Sequence, residues 1–348
     1  MIETRKEDHI DICLNEDVEA GNDYWTMLKF FHNPAPEIDF QDIDTSIEFL
    51  GTELSAPIMV SAITGGFKGA EEINSRLADA AEEVGIPFGV GSQRAAIEDE
   101  DLRSSYEVIR EYDPPLVFGN LGAPQLVSQG DKPPYGSEQG LEALHMIDGD
   151  YLAIHFNFLQ EIVQPEGDTN AKGLLDALTD ISDQVPIVVK ETGAGIPGDV
   201  AKKFEQTGVN AIDVGGMGGT SFSAVEYFRI DDEHNRTIAK ALRDWGIPTP
   251  VSTLECRAAV DIPIISTGGI TNGLQVSKAL ALGAEVAGIA GGILPYVRIG
   301  KEQVVKYLQN VIHGLKVSMF LQGCSNIDEL KDSKIIVTGE LRDWIGTI

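Results

Sequence analysis

Apolar residues along this chain gather into eight short continuous runs, each closed by glycine or a polar residue. They are Pro57-Ile-Met-Val-Ser-Ala, Pro87-Phe-Gly-Val-Gly, Leu116-Val-Phe-Gly-Asn, Tyr151-Leu-Ala-Ile-His, Pro186-Ile-Val-Val-Lys, Asn210-Ala-Ile-Asp-Val, Ile262-Pro-Ile-Ile-Ser-Thr and Glu285-Val-Ala-Gly-Ile-Ala. Continuous apolar runs of this length suit strands buried on both faces, as in a parallel sheet. Most are separated by enough residues for one helix. Ile73 to Val84 and Ser104 to Tyr112 carry helical patterns, and Val251 to Ala259 resumes as a short helix after the Pro248-Thr-Pro break. Val304, Leu308, Val311, Ile312, Leu315 and Met319 have the spacing of a last barrel helix. Eight such units predict an α/β fold, a (β/α)8 TIM barrel with an N-terminal extension and a short C-terminal capping tail.

The segments outside the runs set the expected organisation. Residues 1–55 precede the barrel with a mobile charged arm, Thr4 to Asp11, and an acidic stretch alternating with Ile38, Phe40, Ile43, Ile47 and Phe49. That alternation fits short strands or a plug closing the barrel floor. The barrel spans 56–322, residues 323–348 form the tail, and the whole of 1–348 reads as one domain.

Composition narrows the function. With 43% hydrophobic residues in 348, a large core is available. No stretch approaches the ~18 apolar residues of a membrane span, and the N-terminus lacks a signal-peptide core, so a cytoplasmic protein without a membrane partner is expected. A net charge of −29 argues against nucleic acid, whose phosphates need a basic surface. The acidity fits either a salty cytoplasm, where screening removes self-repulsion, or an ordinary acidic surface. Cys13, Cys256 and Cys324 share no metal or redox spacing and read as reduced bystanders.

In a barrel of this kind, chemistry sits at the C-terminal strand ends. Here these carry Thr64-Gly-Gly, Ser92-Gln-Arg, Asn120, His155-x-Asn157, Lys190-Glu, Gly218-Gly-Thr, Thr267-Gly-Gly and Gly291-Gly. Ser266-Thr-Gly-Gly-Ile-Thr-Asn-Gly and Ala287-Gly-Ile-Ala-Gly-Gly follow the last two strands, where paired glycines and helix N-termini suit a phosphate. Lys190, after buried valines, points into the mouth; it could hold a phosphate, pair with a flavin carbonyl, form a Schiff base, or pair with Glu191 or Asp213. With Thr64, Ser92, Asn120 and Thr220 it outlines a site large enough for a flavin mononucleotide.

The segment His155-Phe-Asn157-Phe-Leu-Gln160-Glu161 puts His155 and Asn157 on one side of the fourth strand, with Gln160 and Glu161 over the mouth. Glu161 suits Mg2+ on a diphosphate or the start of a helix. His155 suits either the site or the core. Arg5, Lys6 and His9 make the arm basic within an acidic protein, and Arg94 could converge on the same anion.

Together these residues resemble the FMN-dependent, type 2 isopentenyl-diphosphate isomerases. The likeness covers nearly the whole chain. It rests on Thr-Arg-Lys-x-Asp-His, Ile-Thr-Gly-Gly, Gly-Ser-Gln-Arg, Gly-Asn-Leu-Gly, His-x-Asn-x-x-Gln-Glu with Gln-Pro-Glu-Gly-Asp, Val-Lys-Glu-Thr-Gly, Gly-Gly-Thr-Ser, Trp-Gly-Ile-Pro-Thr and Gly-Gly-Ile. The resemblance implies FMN contacts at Ile63, Thr64, Gly65, Ser92, Asn120, Lys190, Thr220, Gly269, Ile270, Thr271, Ala290 and Gly291. It implies diphosphate contacts at Arg5, Lys6, Ser92, Gln93, Arg94 and Gln160, joined here by His9 and Asn157, and a Mg2+ ligand at Glu161. Gln160, His155 and Glu226 would position or relay protons. One departure is Thr271, where many members carry arginine; a weaker grip on the flavin phosphate is expected. The implied reaction converts isopentenyl to dimethylallyl diphosphate on reduced FMN, with NADPH or another reductant needed only for priming, in tetramers or octamers. A hydroxy-acid oxidase is disfavoured because Asp213-Val-Gly-Gly-Met-Gly-Gly-Thr lacks a late-barrel His–Gly–Gly–Arg cluster.

Overall fold

A computed structural model describes residues 2–346; Met1 and residues 347–348 of the expected arm and tail lie outside the described residues. Three strands precede the barrel: β1 (Leu28–Phe30), β2 (Ile47–Phe49) and β3 (Thr52–Leu54). The eight apolar runs become β4 (Ile58–Val60), β5 (Phe88–Gly89), β6 (Val117–Gly122), β7 (Tyr151–Phe156), β8 (Ile187–Glu191), β9 (Ala211–Asp213), β10 (Ile264–Thr267) and β11 (Val286–Ile289). These pair in parallel, and β11 returns to β4 to close the barrel. A final strand, β12 (Ile335–Val337), lies in the tail.

The barrel strands are short because each needs only to cross the buried layer. Ile58, Val60, Phe88, Leu152, Ile154, Ile187, Val189, Ile212 and Ile289 are all fully buried. Helices follow the strands, including Ala70–Val84, Thr249–Ala259 and Lys301–Phe320. The 104–112 segment is a single α-turn, Ser104–Glu107, continued as a 3-10 turn.

The floor is closed by the β2–β3 hairpin, whose turn holds Leu50 and Gly51 at positive φ. Phe49 and Leu54 pack under Met59, Phe118, Val188, Ile265 and Val286, the inward residues at the strand starts. One element differs from expectation. The charged arm is a helix, α1 (Ile2–Asn15), laid across the mouth. Its stabilisation comes from packing: Ile12 and Cys13 contact a cluster of Val18, Phe222, Ala224 and Val225. The chain then runs along the loop after β9, with Ala20 N donating to Gly219 O and Ser221 N to Val18 O.

The tail is more than a cap. Strand β12 pairs antiparallel with β1, Leu28 opposite Val337, so the two ends of the chain are zipped together. Just before β1, Trp25 is 1% exposed and donates from Nε1 to Gly268 O. Lys278 Nζ returns a bond to Trp25 O. The N-terminal extension thereby braces the loop after β10. Among the described residues no helix is long and apolar enough to cross a membrane.

Candidate active site

The strand register sets one polar layer across the barrel. His155 on β7 lies opposite Gly122 on β6 and Lys190 on β8, and Lys190 lies opposite Asp213 on β9. Above this layer opens a cleft of about 410 Å3, within the range of small-molecule sites.

Nineteen of the expected positions share its wall: Arg5, Lys6, His9, Ile63, Thr64, Ser92, Arg94, Asn120, His155, Asn157, Gln160, Glu161, Lys190, Thr220, Gly269, Ile270, Thr271, Ala290 and Gly291. Three do not reach it. Gly65 lies under the rim, where an added Cβ would sit 2.1 Å from the Tyr106 ring. Gln93 is fully buried and turns into the wall, its Oε1 accepting from Asn120 N and its Nε2 donating to Ala143 O. Glu226 sits behind Gln160 and His9 with no exposed surface.

One side of the cleft is cationic. Lys6 Nζ donates to Ser92 O at 2.6 Å and to Tyr106 OH at 2.9 Å, and Tyr106 in turn donates to Ser92 O. Burial, with Arg5 and Arg94 nearby, lowers the Lys6 ammonium to about 7. Arg5 reaches Gln164 Oε1, and Arg94 pairs with Asp168 at 2.6 Å and with Glu98. A buried lysine flanked by two guanidinium groups forms a ready anion site.

His155 Nδ1 lies 2.7 Å from Asn120 Oδ1. Asn120 Nδ2 donates to Val90 O, so its oxygen faces the ring and Nδ1 carries the proton. Burial, then Lys190 and Lys6, push His155 down to about 3, leaving a neutral imidazole. Lys190 Nζ donates to the Glu191 carbonyl at 3.0 Å.

The His155-to-Glu161 segment turns directly into the helix Phe158–Val163. Asn157 Nδ2 donates to Glu161 Oε1 at 2.9 Å and to Gln160 Oε1 at 3.2 Å. Asp168 N donates to Glu161 Oε2. Asn157 Oδ1 is a buried oxygen with no hydrogen-bond partner among the described residues. Gln160 and Gln164 both donate to Glu226 Oε1, which His9 Nε2 approaches at 2.9 Å, while Arg229 donates to Oε2. Burial would raise the Glu226 carboxyl, but His9, Arg229 and Gln160 hold it down to about 2. It is a fixed anion tying α1 to the segment after β7 that carries Gln160 and Gln164.

The opposite side carries the glycine loops. Gly269 has φ +68°, a Cβ there would lie 2.2 Å from Gly218 O, and one on Gly219 would lie 2.6 Å from Gly269 N, so the loops after β9 and β10 approach this closely only because positions 219 and 269 are glycine. The loop after β11 turns through Gly291–Ile293 beside them.

Gln164, Glu191 and Gln275 also line the cleft, and Asp168 pairs with Arg94 at its edge; of these four only Glu191 carried a role in the sequence, as a possible partner of Lys190. Gln164 and Asp168 lie in the Gln-Pro-Glu-Gly-Asp motif and Glu191 in Val-Lys-Glu-Thr-Gly, so a signal existed. Glu191 Oε2 accepts from the N–H groups of Thr192, Gly193, Ala194 and Gly195, folding that loop around itself.

A glycine-rich barrel rim with a lysine at its centre and a basic side defines the class of FMN-binding (β/α)8 enzymes. The profile of the FMN-dependent dehydrogenase family matches residues 99–337. Solved barrels share the fold at low identity: a flavocytochrome b2 variant (TM-score 0.67, 16% identical, covering 96% of this chain and 82% of that one) and an (S)-mandelate dehydrogenase chimera (TM-score 0.65, 16%, 95% and 99%). Curated relatives are far nearer. The isopentenyl-diphosphate delta-isomerase of Archaeoglobus fulgidus is 46% identical over 347 residues, 98% of this chain and 97% of that protein. Those of Thermococcus onnurineus (46%, covering 98% and 93%) and Picrophilus torridus (42%, covering 99% of each) agree. The chain belongs to the isopentenyl-diphosphate delta-isomerase family, within the FMN-dependent dehydrogenase group.

Proposed function

We propose that this protein interconverts isopentenyl and dimethylallyl diphosphate on an FMN-bearing barrel. The observation that carries this is the single cleft in which Arg5, Lys6 and Arg94 face glycine loops across Asn157, Gln160 and Glu161. Two anion-binding sides flank an uncharged amide and a neutral imidazole, which is the layout a flavin phosphate and a substrate diphosphate need around an alkene.

The reaction adds a proton to the terminal alkene carbon and removes one from C2, with no net redox. Reduced FMN, when bound, would supply the acid–base chemistry, and NADPH would serve to reduce it. Lys190, Thr64, Asn120 and the loops at Gly269 and Gly291 would hold the flavin. Arg5, Lys6 and Arg94 bind the diphosphate, converting remote binding energy into orientation. Helix α1 roofs the cleft and excludes water that would trap a tertiary cation. His155, neutral and with Nδ1 bound to Asn120, presents Nε2 as an acceptor. Gln160 is held at both ends of its amide, by Asn157 and Glu226, and orients without carrying charge.

Mg2+ fits beside Glu161. Asn157 must turn Nδ2 toward the Glu161 carboxylate, which leaves Oδ1 as an acceptor. A deprotonated diphosphate has no proton to offer it, whereas a cation could coordinate it or donate to it through a hydration water. Glu161 with Asn157 would hold the ion, and the diphosphate and waters would complete the shell, as Mg2+ prefers.

Turnover in D2O tests the reading. Dimethylallyl diphosphate should carry deuterium in a methyl group derived from the terminal alkene carbon. Product without solvent deuterium, or no product with reduced FMN and Mg2+ present, contradicts it.

A further inference from the structure

The cations of the cleft are unevenly placed. Arg5, Lys6 and Arg94 line its basic side and Lys190 its floor, but no Lys or Arg among the lining residues comes from the loops after β10 and β11. Lys278, on the helix that follows β10, is committed to Trp25 O. A phosphate lodged at these loops therefore meets backbone amides and whatever neutral donors the side chains present.

One side chain is built for this. Gln275, in the first turn of the helix Gly273–Ala281, is 8% exposed and lines the cleft. Its Oε1 accepts from Thr271 N at 2.7 Å and from Thr271 Oγ1 at 3.1 Å. Because Thr271 N–H can only donate, the amide has one orientation. The Nε2 group must face away from Thr271, and among the described residues it donates to no protein acceptor. The loop is braced from behind as well: Tyr307 OH donates to Thr271 O, and Asn272 Oδ1 caps the helix by accepting from Gln275 N.

We propose that Gln275 is a ligand of the flavin's phosphate monoester, donating from Nε2 while its Oε1 locks the Thr271 turn. The proposal rests on the FMN reading above. It makes Gln275 the side-chain donor at a phosphate pocket that lacks a guanidinium or ammonium group, and it offsets the departure at Thr271.

The test compares FMN with riboflavin, which lacks the phosphate, by fluorescence titration of flavin-free protein. Gln275→Glu is the informative variant, because a carboxylate can still accept from Thr271 while it replaces the NH2 group by a repelling oxygen. At pH 8 it should weaken FMN tenfold or more, as about one charge-assisted hydrogen bond is lost, and leave riboflavin unchanged. Gln275→Leu should weaken FMN by a smaller factor, again sparing riboflavin, and serves alone if the glutamate variant does not fold. Equal weakening of both flavins, or of neither, overturns the proposal. Native protein that binds neither flavin overturns the FMN reading itself.

Discussion

At the residue scale the basic side of the cleft makes a sharp expectation about protons. Lys6 is lowered to about 7 by burial and by its cationic neighbours, so at pH 8 most of it is neutral. A diphosphate favours the ammonium form and must raise that value, so binding takes up protons and weakens as pH climbs above 7. Calorimetry with inorganic pyrophosphate in two buffers of different ionisation enthalpy should show uptake of about one proton per site at pH 8. The Lys6→Met variant should show none. A second expectation concerns the cation. Asn157→Ala removes the orphaned oxygen, and Glu161→Ala the carboxylate; both should raise the Mg2+ needed for half-maximal rate about tenfold or more, with FMN affinity unchanged. The polar residues were readable in the sequence as a set, but their directions were not. Ser92 and Gln93 lie in the loop between the end of β5 at Gly89 and the helix that starts at Arg94, so alternation fails there and Gln93 turns into the wall. Glu226 similarly lies behind the amides that face the cleft, a placement no local pattern encodes.

Elements were legible where burial dictates pattern. All eight barrel strands follow from their apolar runs because each is covered on both faces. Helix α1 was not, since its charge run resembles a solvated tail; yet Arg5, His9 and Cys13 recur every four residues and share one face over the cleft. The β1–β12 ribbon joins residues about three hundred apart, and nothing local in either strand announces the other. What holds α1 down is testable. Glu226 is buried against His9 and Arg229, and breaking a buried pair costs on the order of 3 kcal/mol. Its carboxyl is depressed from 4.5 to about 2, so this stabilisation is fully present above pH 4.5 and is lost as pH falls toward 2. Thermal midpoints of the native protein and Glu226→Gln should differ most at pH 5 to 7 and converge in acid. A gap independent of pH would contradict the anchoring role.

Across the whole molecule, a net charge of −29 sits around a cleft with a cationic side. Surface self-repulsion opposes the compact state and is screened by salt, with a Debye length near 3 Å at 1 M. The thermal midpoint should therefore rise between 0.1 and 2 M KCl, and a midpoint that stays level would assign the acidity to solubility alone. The central claim is that the barrel performs a redox-neutral isomerisation rather than the hydride transfer associated with dehydrogenases sharing its fold. The direct measurement is anaerobic turnover of isopentenyl diphosphate with Mg2+ and enzyme whose FMN has been reduced once by dithionite, with no further reductant. Many equivalents of dimethylallyl diphosphate per flavin, with the flavin still reduced at the end, is the predicted result. At most one equivalent, with the flavin oxidised in step, would contradict it.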